Sequence, residues 1–406
     1  MTPPREGMLF AAACSERFGL SMLMLMNFSV RRPQFELRQQ RALEWLSEVH
    51  SRAEGTLKGL AELERAEFAT RYAKLIERCA CGPDRISKRG HVTADLGSID
   101  QLGLYDVQRF PHGQGSAARS GLFEQVVNAY FEREFAAEEQ APSELIHVTC
   151  TGYVSPSGAQ RLVADKGWGA VTHVTHAYHM GCYAALPAIL IAAGHLSVPA
   201  AFRPANSEQR VDIVHTELCT LHLDPSDHSA EQCVVQSLFA DGFVRYSLRE
   251  PAVGEAIRGL ELLAVSERIL PASADSMTWS VGDFGMQMTL MRDVPERIAG
   301  ALRPFVSELL AKAGVGGAEA LRDAVVAVHP GGPKIIDRVA SVLELLPAQV
   351  QASRDVLFEY GNMSSATLPH VWQRVLDDDG VERGTLVLSL AFGPGLSVCG
   401  SLFRKH

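Results

Sequence analysis

The spacing of apolar positions changes character several times along the chain, and each change marks an element. The segment FELRQQRALEWLSEVHSRAEGTLKGLAEL, residues 35–63, places Leu37, Ala42, Leu43 and Leu46 at helical spacing and runs on into a basic stretch with Arg71, Lys74, Arg78, Arg85, Lys88 and Arg89. Before it, residues 1–31 are apolar without a period and read as an irregular leader, in which Met22, Met24 and Met26 serve equally well as a start. Residues 117–135 form a second amphipathic helix behind the loop FPHGQGS. From Ser143 onward the pattern tightens. A strand over 145–150 leads through a Gly/Ser/Pro loop into the helix AQRLVADKGWG, then come a strand over 170–177, a turn at His179-Met180-Gly181 and a helix over 182–195. Residues 208–222 and 231–248 predict two more strands around a DPSD turn. From residues 257–268 a second set repeats the first in outline: a strand over 324–327, an HPGG turn and helix, then helix, GN turn and helix, then a hairpin. The fold class is therefore α/β with a duplicated layout, an N-terminal half over 1–255 and a C-terminal half over 256–406.

Composition narrows the classes. A chain of 406 residues, 47% hydrophobic and 21% charged, can bury a large core. Its net charge of −9 argues against a nucleic-acid surface and leaves any phosphate-bearing partner dependent on a local basic patch. The longest apolar run, 182–194, is broken by Pro187 and is shorter than the roughly 20 residues a bilayer span needs, so no membrane helix is expected. The beginning MTPPREGMLFAAAC has the outline of a lipoprotein leader ending at Cys14, but Glu6 cancels Arg5 and the apolar core is short, so a cytoplasmic location is expected. Eight cysteines without framework spacing fit reduced thiols. Cys79 and Cys81 have no second ligand pair at zinc-finger spacing, and His173, His176 and His179 lie three apart on a strand, where they point to opposite faces. No metal is expected. Asp227, the Asp241-Gly242 pair, and Asp377 with Asp378 read as turns.

Three positions carry candidate chemistry. Cys182 stands where a helix begins, so the helix dipole favours its thiolate, and the helix YAALPAILIAAG behind it is apolar almost all round. Position alone leaves it equally a nucleophile or a small core residue. His329 ends the apolar strand of DAVVAVHPGGPKIID, followed by Pro330, Gly331 and Gly332, which bring backbone close to the imidazole. By itself it reads as a structural histidine or as a partner for a thiolate or oxyanion. Asn362 in EYGNMSSATL occupies a tight turn, where asparagine is also favoured for its backbone alone.

Together, in order and wording, these motifs resemble type III polyketide synthases, the chalcone synthase-like ketosynthases of the thiolase superfamily. The Cys182 region resembles their nucleophile segment, HPGGPKIID their His motif, YGNMSSAT their Asn motif, and AFGPGLSV their GFGPG loop with Ala391 for the first Gly. RRPQFELRQQRALEWL is similar to bacterial members. The resemblance implies a thiolase-like αβαβα layered fold, a homodimer, and acyl transfer from a thioester to Cys182 followed by Claisen condensation. In that account His329 as imidazolium holds Cys182 as thiolate, and His329 with Asn362 donates to the thioester oxygen or to the enolate left by malonyl decarboxylation. No cofactor is implied beyond substrates carried as CoA or phosphopantetheinyl thioesters.

Departures from the family bear on substrate. Alignment puts Phe239 at the first gatekeeper, Met288 at the second, where plant members carry Phe, and Leu221 at a cavity-lining Thr, with Gly393 and Pro394 in the GFGPG-like loop. Met288 and Leu221 favour a flexible or apolar chain, and both also read as ordinary core. Residues 79–82 interrupt the helix that grips CoA phosphates in relatives, leaving Arg78, Arg85 and Lys88 as nearest candidates for CoA or for an acidic acyl carrier protein, against a merely solvated helix face. The favoured reaction joins two carrier-bound chains into an α-pyrone, resembling the ketosynthases of the corallopyronin and myxopyronin antibiotics. The alternative is iterative extension with malonyl-CoA to alkylpyrones or resorcinols. A papain-type Cys-His-Asn hydrolase shares the residue order but not the CGSCW-type segment, and a non-catalytic ketosynthase-like subunit would have lost the nucleophile.

Overall fold

The segment expected to be an irregular leader ends in a strand. The computed structural model describes residues 22–98, 103–138, 140–204 and 208–406, so the leader's first 21 residues, Cys14 included, lie outside the described residues. Within it Met24, Leu25 and Met26 are buried in β1 (Met24–Arg31). The run lacks a period because this part of the strand is covered on both faces. Next, β2 (Phe35–Arg38) takes the first four residues of the expected helix and pairs with β3 (Lys88–His91), which lies beyond helices α1 (Gln39–Lys58) and α2 (Glu62–Cys79). Then follow α3 (Ser116–Glu134), β4 (Pro142–Thr149), α4 (Gly158–Asp165), β5 (His173–Tyr178), α5 (Ala185–Ser197) and β6 (Glu208–Leu218).

Residues 231–248 are not one strand but α6 (Ala230–Leu238) followed by β7 (Asp241–Arg249). The hydroxyl of Ser229 accepts from Gln232 N–H and caps the helix, a local signal that a short apolar run such as CVVQSL hides. The second half comprises β8 (Leu260–Ile269), β9 (Met277–Gly282), β10 (Gly285–Leu290), α7 (Val294–Lys312), β11 (Val325–Val328), α8 (Pro333–Leu343), α9 (Gln351–Tyr360), α10 (Thr367–Asp377), β12 (Leu386–Gly393) and β13 (Ser397–Lys405).

Nine strands form one sheet in the order β11-β12-β13-β8-β1-β7-β6-β4-β5. In one half β4 runs parallel to β5 and β6, and β7 returns antiparallel; in the other β11 runs parallel to β12, and β13 returns antiparallel. The duplication expected from sequence is thus a repeated pairing pattern, joined where β1 pairs antiparallel with both β7 and β8. Strand side chains alternate between faces. Ile146, Val148, Val211 and Ile213 from one half, and Val387 and Ala391 from the other, pack on a single cluster built around α5 and α10. Leu145 and Val214 face an outer layer containing α3 and α4, whereas Leu388 and Leu390 face one containing α7 and α8. The result is a helix-sheet-helix-sheet-helix stack, with α5 and α10 in the middle.

Candidate active site

The central helices are entered through turns at the ends of the parallel strands, and the candidate residues sit in those turns. After β5, His179 and Gly181 adopt positive φ (60° and 88°). A Cβ at Gly181 would lie 2.5 Å from Pro394 Cδ, so glycine is required both for the turn and for the approach of the 393–394 loop. The Gly181 N–H donates to the Cys150 sulfur (3.0 Å). Cys182 follows in a tight turn, with Ala184 N–H donating to Gly181 O (3.1 Å), and α5 starts only at Ala185. The nucleophile candidate therefore stands one turn ahead of the helix rather than on its first residue. It is buried, and its sulfur lies 3.7 Å from the Ser364 hydroxyl.

His329 follows β11 directly and is fixed by its own N–H donating to Leu390 O (2.7 Å). Gly332, at φ 148°, makes the reversal into α8, and Gly331 lies alongside the ring. Neither ring nitrogen of His329 has a hydrogen-bond partner among the described residues. Asn362 follows Gly361 (φ 76°) between α9 and α10. Its Oδ1 accepts from Ser364 N–H (2.9 Å), which turns the amide NH2 outward as a donor. Its backbone brackets Phe239, donating to Leu238 O (3.0 Å) and accepting from Ala240 N–H (2.8 Å).

Cys182, His329 and Asn362 share the wall of one cavity of about 500 Å³, lined further by Phe239, Met288, Val235 and Ile298. A second space of about 30 Å³ shares Cys182, Phe239 and Met288 with it and is walled further by Cys150, Cys219, Trp279, Ser364 and Pro394. Burial pushes the Cys182 thiol up to about 12, opposed by hydrogen bonds from Ser364 and Asn362, and pushes the His329 imidazole down to about 3. Behind the nucleophile lies Glu217, a residue that the strand pattern gave no reason to single out. Its buried carboxyl is pushed up to about 7 by desolvation and accepts from Cys150 N–H (3.0 Å), the Thr151 hydroxyl (3.0 Å) and the Ser365 hydroxyl.

The remaining sequence candidates divide. Phe239 and Met288 line both spaces, and Pro394 lines the smaller one. Gly393 lies beneath Tyr183, whose Cδ1 would stand 2.2 Å from an added Cβ, so it supports the turn and is not part of either wall. Leu221 lines neither space; it is buried in the outer core, with its carbonyl accepting from Arg119. Arg78 reaches the cavity, but Arg85 pairs with Asp84 and Lys88 with Glu36. Arg89, the last cation of the basic stretch, is buried and donates to Gln39 Oε1 (2.8 Å), Gln236 O (2.9 Å) and Phe239 O (2.6 Å). Two exposed cations that the sequence reading passed over, Arg292 and Lys334, join Arg78 on the cavity wall, and none of the three has an ion-pair partner among the described residues. Lys334 lies inside the HPGGPKIID motif, and Arg292 four residues beyond Met288. Among the described residues no His, Cys, Asp and Glu side chains group as metal ligands, and no helix is long and apolar enough to cross a membrane.

Residues 261–405 match the family of chalcone and stilbene synthases, C-terminal domain. The chain is 29% identical over 277 residues to type III polyketide synthase C of Arabidopsis thaliana, covering 67% of this chain and 70% of that protein. It is 31% identical over 260 residues to 1,3,6,8-tetrahydroxynaphthalene synthase of Streptomyces coelicolor, covering 64% and 65%. The solved structure of the Streptomyces coelicolor synthase superimposes with a TM-score of 0.74 at 25% identity, over 94% of this chain and 99% of that one. The fold is shared as well with PKS-I of the brown alga Ectocarpus siliculosus, with a TM-score of 0.78 at 21% identity over 95% and 99%. Strand order, the motif-bearing turns and these likenesses agree: the chain is similar to type III polyketide synthases, and its residues 261–405 match the C-terminal domain of chalcone and stilbene synthases.

Proposed function

We propose that this chain is a condensing ketosynthase that loads an acyl group from a thioester onto Cys182 and joins it to the α-carbon of a second, (β-keto)acyl thioester. The observation that carries this reading is the convergence of Cys182, His329 and Asn362, from three separate turns, on one largely apolar cavity. Burial keeps thiol and imidazole neutral when each is considered alone. The ions are stable only together, as the proton passes from sulfur to ring while the sulfur attacks the thioester carbonyl. The imidazolium–thiolate pair that the family resemblance implies forms, on this reading, as His329 takes the proton that Cys182 gives up. His329 and the Asn362 amide then donate to the oxygen on which charge develops. The S–C bond to Cys182 forms, the bond to the carrier sulfur breaks, and the carrier thiolate takes the proton from His329. In the second step the donor carbon becomes nucleophilic by losing CO2 from a malonyl group, or by giving a proton from between two carbonyls to His329, which the first step left neutral. It attacks the acyl-Cys182 carbonyl, the new C–C bond forms, and Cys182 leaves as thiolate and regains a proton from His329 or, after CO2 loss, from water.

The rim cations Arg78, Arg292 and Lys334 suit the phosphate of a phosphopantetheine arm and the acidic surface of an acyl carrier protein. They support the version in which a homodimer of this chain joins two carrier-bound chains into an α-pyrone. Iterative extension with malonyl-CoA is the second reading, favoured by the likeness to tetrahydroxynaphthalene synthase. Intact-protein mass spectrometry after incubation with an acyl-pantetheine thioester tests the common step. An acyl mass is expected on the wild type and absent in Cys182→Ala; no adduct, or one surviving that substitution, overturns the reading. Carrier feeding predicts faster loading from acyl carrier protein than from acyl-CoA.

A further inference from the structure

Behind the turn that carries Asn362, helices α9 and α10 enclose a cavity of about 400 Å³ that the chemistry above does not use. Tyr360 ends α9 on one side of that turn, and His370 stands in the first turn of α10 on the other, their rings meeting edge-on at 5.1 Å. From there His370, Gln373, Arg374 and Asp377 follow at spacings of three and four, so one face of α10 lines the cavity, with Asp355 and Val356 of α9 across from it. We propose that this cavity is a binding site for a small organic ammonium, a primary amine with a short aliphatic tail. It has no lining residue in common with the Cys182 cavity, so the inference does not depend on the ketosynthase reading.

The hydrogen-bond donors in the wall are committed, and two of its acceptors are not. His370 is 4% exposed, and its Nδ1–H donates to Ala366 O (2.8 Å), which leaves Nε2 with a lone pair and no partner among the described residues. Burial, helped by the nearby Arg32, pushes this imidazole down to about 4, so the lone pair is present at neutral pH. Gln373 gives its Nε2–H to Asp377 Oδ2 (2.6 Å), and its Oε1 is likewise a buried acceptor without a partner among the described residues. Arg374 is held by Asp355 (3.2 Å) and Glu359 (3.0 Å). A buried polar atom left unpaired is costly, so an occupant of this space must bring donors.

Charge narrows the class. Asp355, Asp377 and Asp378 line the cavity beside a single guanidinium, that of Arg374, and the C-terminal end of α10 adds the negative end of its dipole. Arg258 pairs with Asp377 from the exposed side (2.6 Å). An anion is repelled here, and a hydrocarbon leaves both acceptors unmet. An ammonium carries three donors and no acceptor, which His370 Nε2, Gln373 Oε1 and one carboxylate match. Val30, Val356 and the Tyr360 ring give its tail an apolar wall, and Arg32 already seats a cation on that ring at 3.9 Å. The same carboxylates and His370 do not group as metal ligands, which favours an organic cation over a metal ion.

The test is isothermal titration of the full chain with n-butylamine at pH 8, with butan-1-ol and butyrate as neutral and anionic probes of the same length. One amine per chain is expected, with Kd below about 1 mM, and the alcohol and the acid should bind at least tenfold more weakly. Gln373→Leu and His370→Phe should each weaken the amine at least tenfold. His370 is buried and its variant is read only if it unfolds cooperatively; Gln373 is half-buried, so its variant carries the test alone if need be. Nitrogen NMR of histidine-labelled wild type gives a second readout, in which the amine should shift one neutral Nε2 resonance. No saturable binding by about 10 mM amine overturns the site, as water then suffices for both acceptors. Butan-1-ol binding as tightly as the amine overturns the ammonium assignment. Amine binding that Gln373→Leu leaves unchanged and that shifts no histidine resonance lies elsewhere on the chain and overturns the proposal.

Discussion

Replacing Arg89 with methionine tests whether the candidate site is held from beneath by a buried cation. Arg89 is only 4% exposed, and its guanidinium spends one bond on Gln39 Oε1, one on Gln236 O and one on Phe239 O. Its stem packs against Gly361, where an added Cβ would stand 3.0 Å from Arg89 Cγ. Each bond from a charged donor contributes about 1.5–3 kcal/mol, but the three are not additive. Methionine leaves these buried acceptors without their donor, at about 1–3 kcal/mol for an unsatisfied group, so a loss of at least about 3 kcal/mol is expected for Arg89→Met. Function should fall further than stability explains. Phe239 is bracketed by the backbone bonds of Asn362, so slack in the Phe239 carbonyl moves the amide expected to meet the thioester oxygen. A displacement of about 1 Å costs roughly 10²-fold in rate. The assay pairs urea unfolding with the rate of Cys182 acylation under conditions where the variant is fully folded. Arg89→Lys, which keeps charge but not the fork of donors, should be intermediate in both. A methionine variant within about 1 kcal/mol of wild type that acylates at the normal rate would refute the reasoning.

In His329→Gln no imidazole is left to take the proton, and burial, opposed only by the hydrogen bonds from Ser364 and Asn362, holds the Cys182 thiol up. Its alkylation by iodoacetamide should therefore climb about tenfold per pH unit up to pH 10 and be at least about tenfold slower than wild type at pH 7, whereas an unchanged profile would show that the two groups are uncoupled. Gly181→Ala should reduce acylation more than tenfold, because φ 88° and the 2.5 Å approach of Pro394 leave no place for a Cβ; rates near wild type would show that the turn is not needed. Replacing Arg78, Arg292 and Lys334 together by alanine should raise KM for acyl-CoA and flatten its salt dependence while kcat stays near wild type; a fall in kcat with KM unchanged would remove them from thioester capture.

The sequence by itself determined the α/β layout, its duplication and the three motif-bearing turns. These are local matters: strand and helix periods are written in consecutive residues, and Gly181, Gly332 and Gly361 mark positive-φ reversals that few other residues tolerate. Aperiodic apolar runs misled, because a strand buried on both faces, such as β1, has no alternation to read. Tertiary structure alone decided which charges are solvated and how much room the site has. Arg78 and Arg89 stand in one basic stretch, yet one reaches the cavity rim and the other is sealed beneath Phe239, since burial depends on what folds over a residue. Glu217 was invisible for the same reason. Its place beside Cys150 comes from a parallel sheet that joins distant parts of the chain.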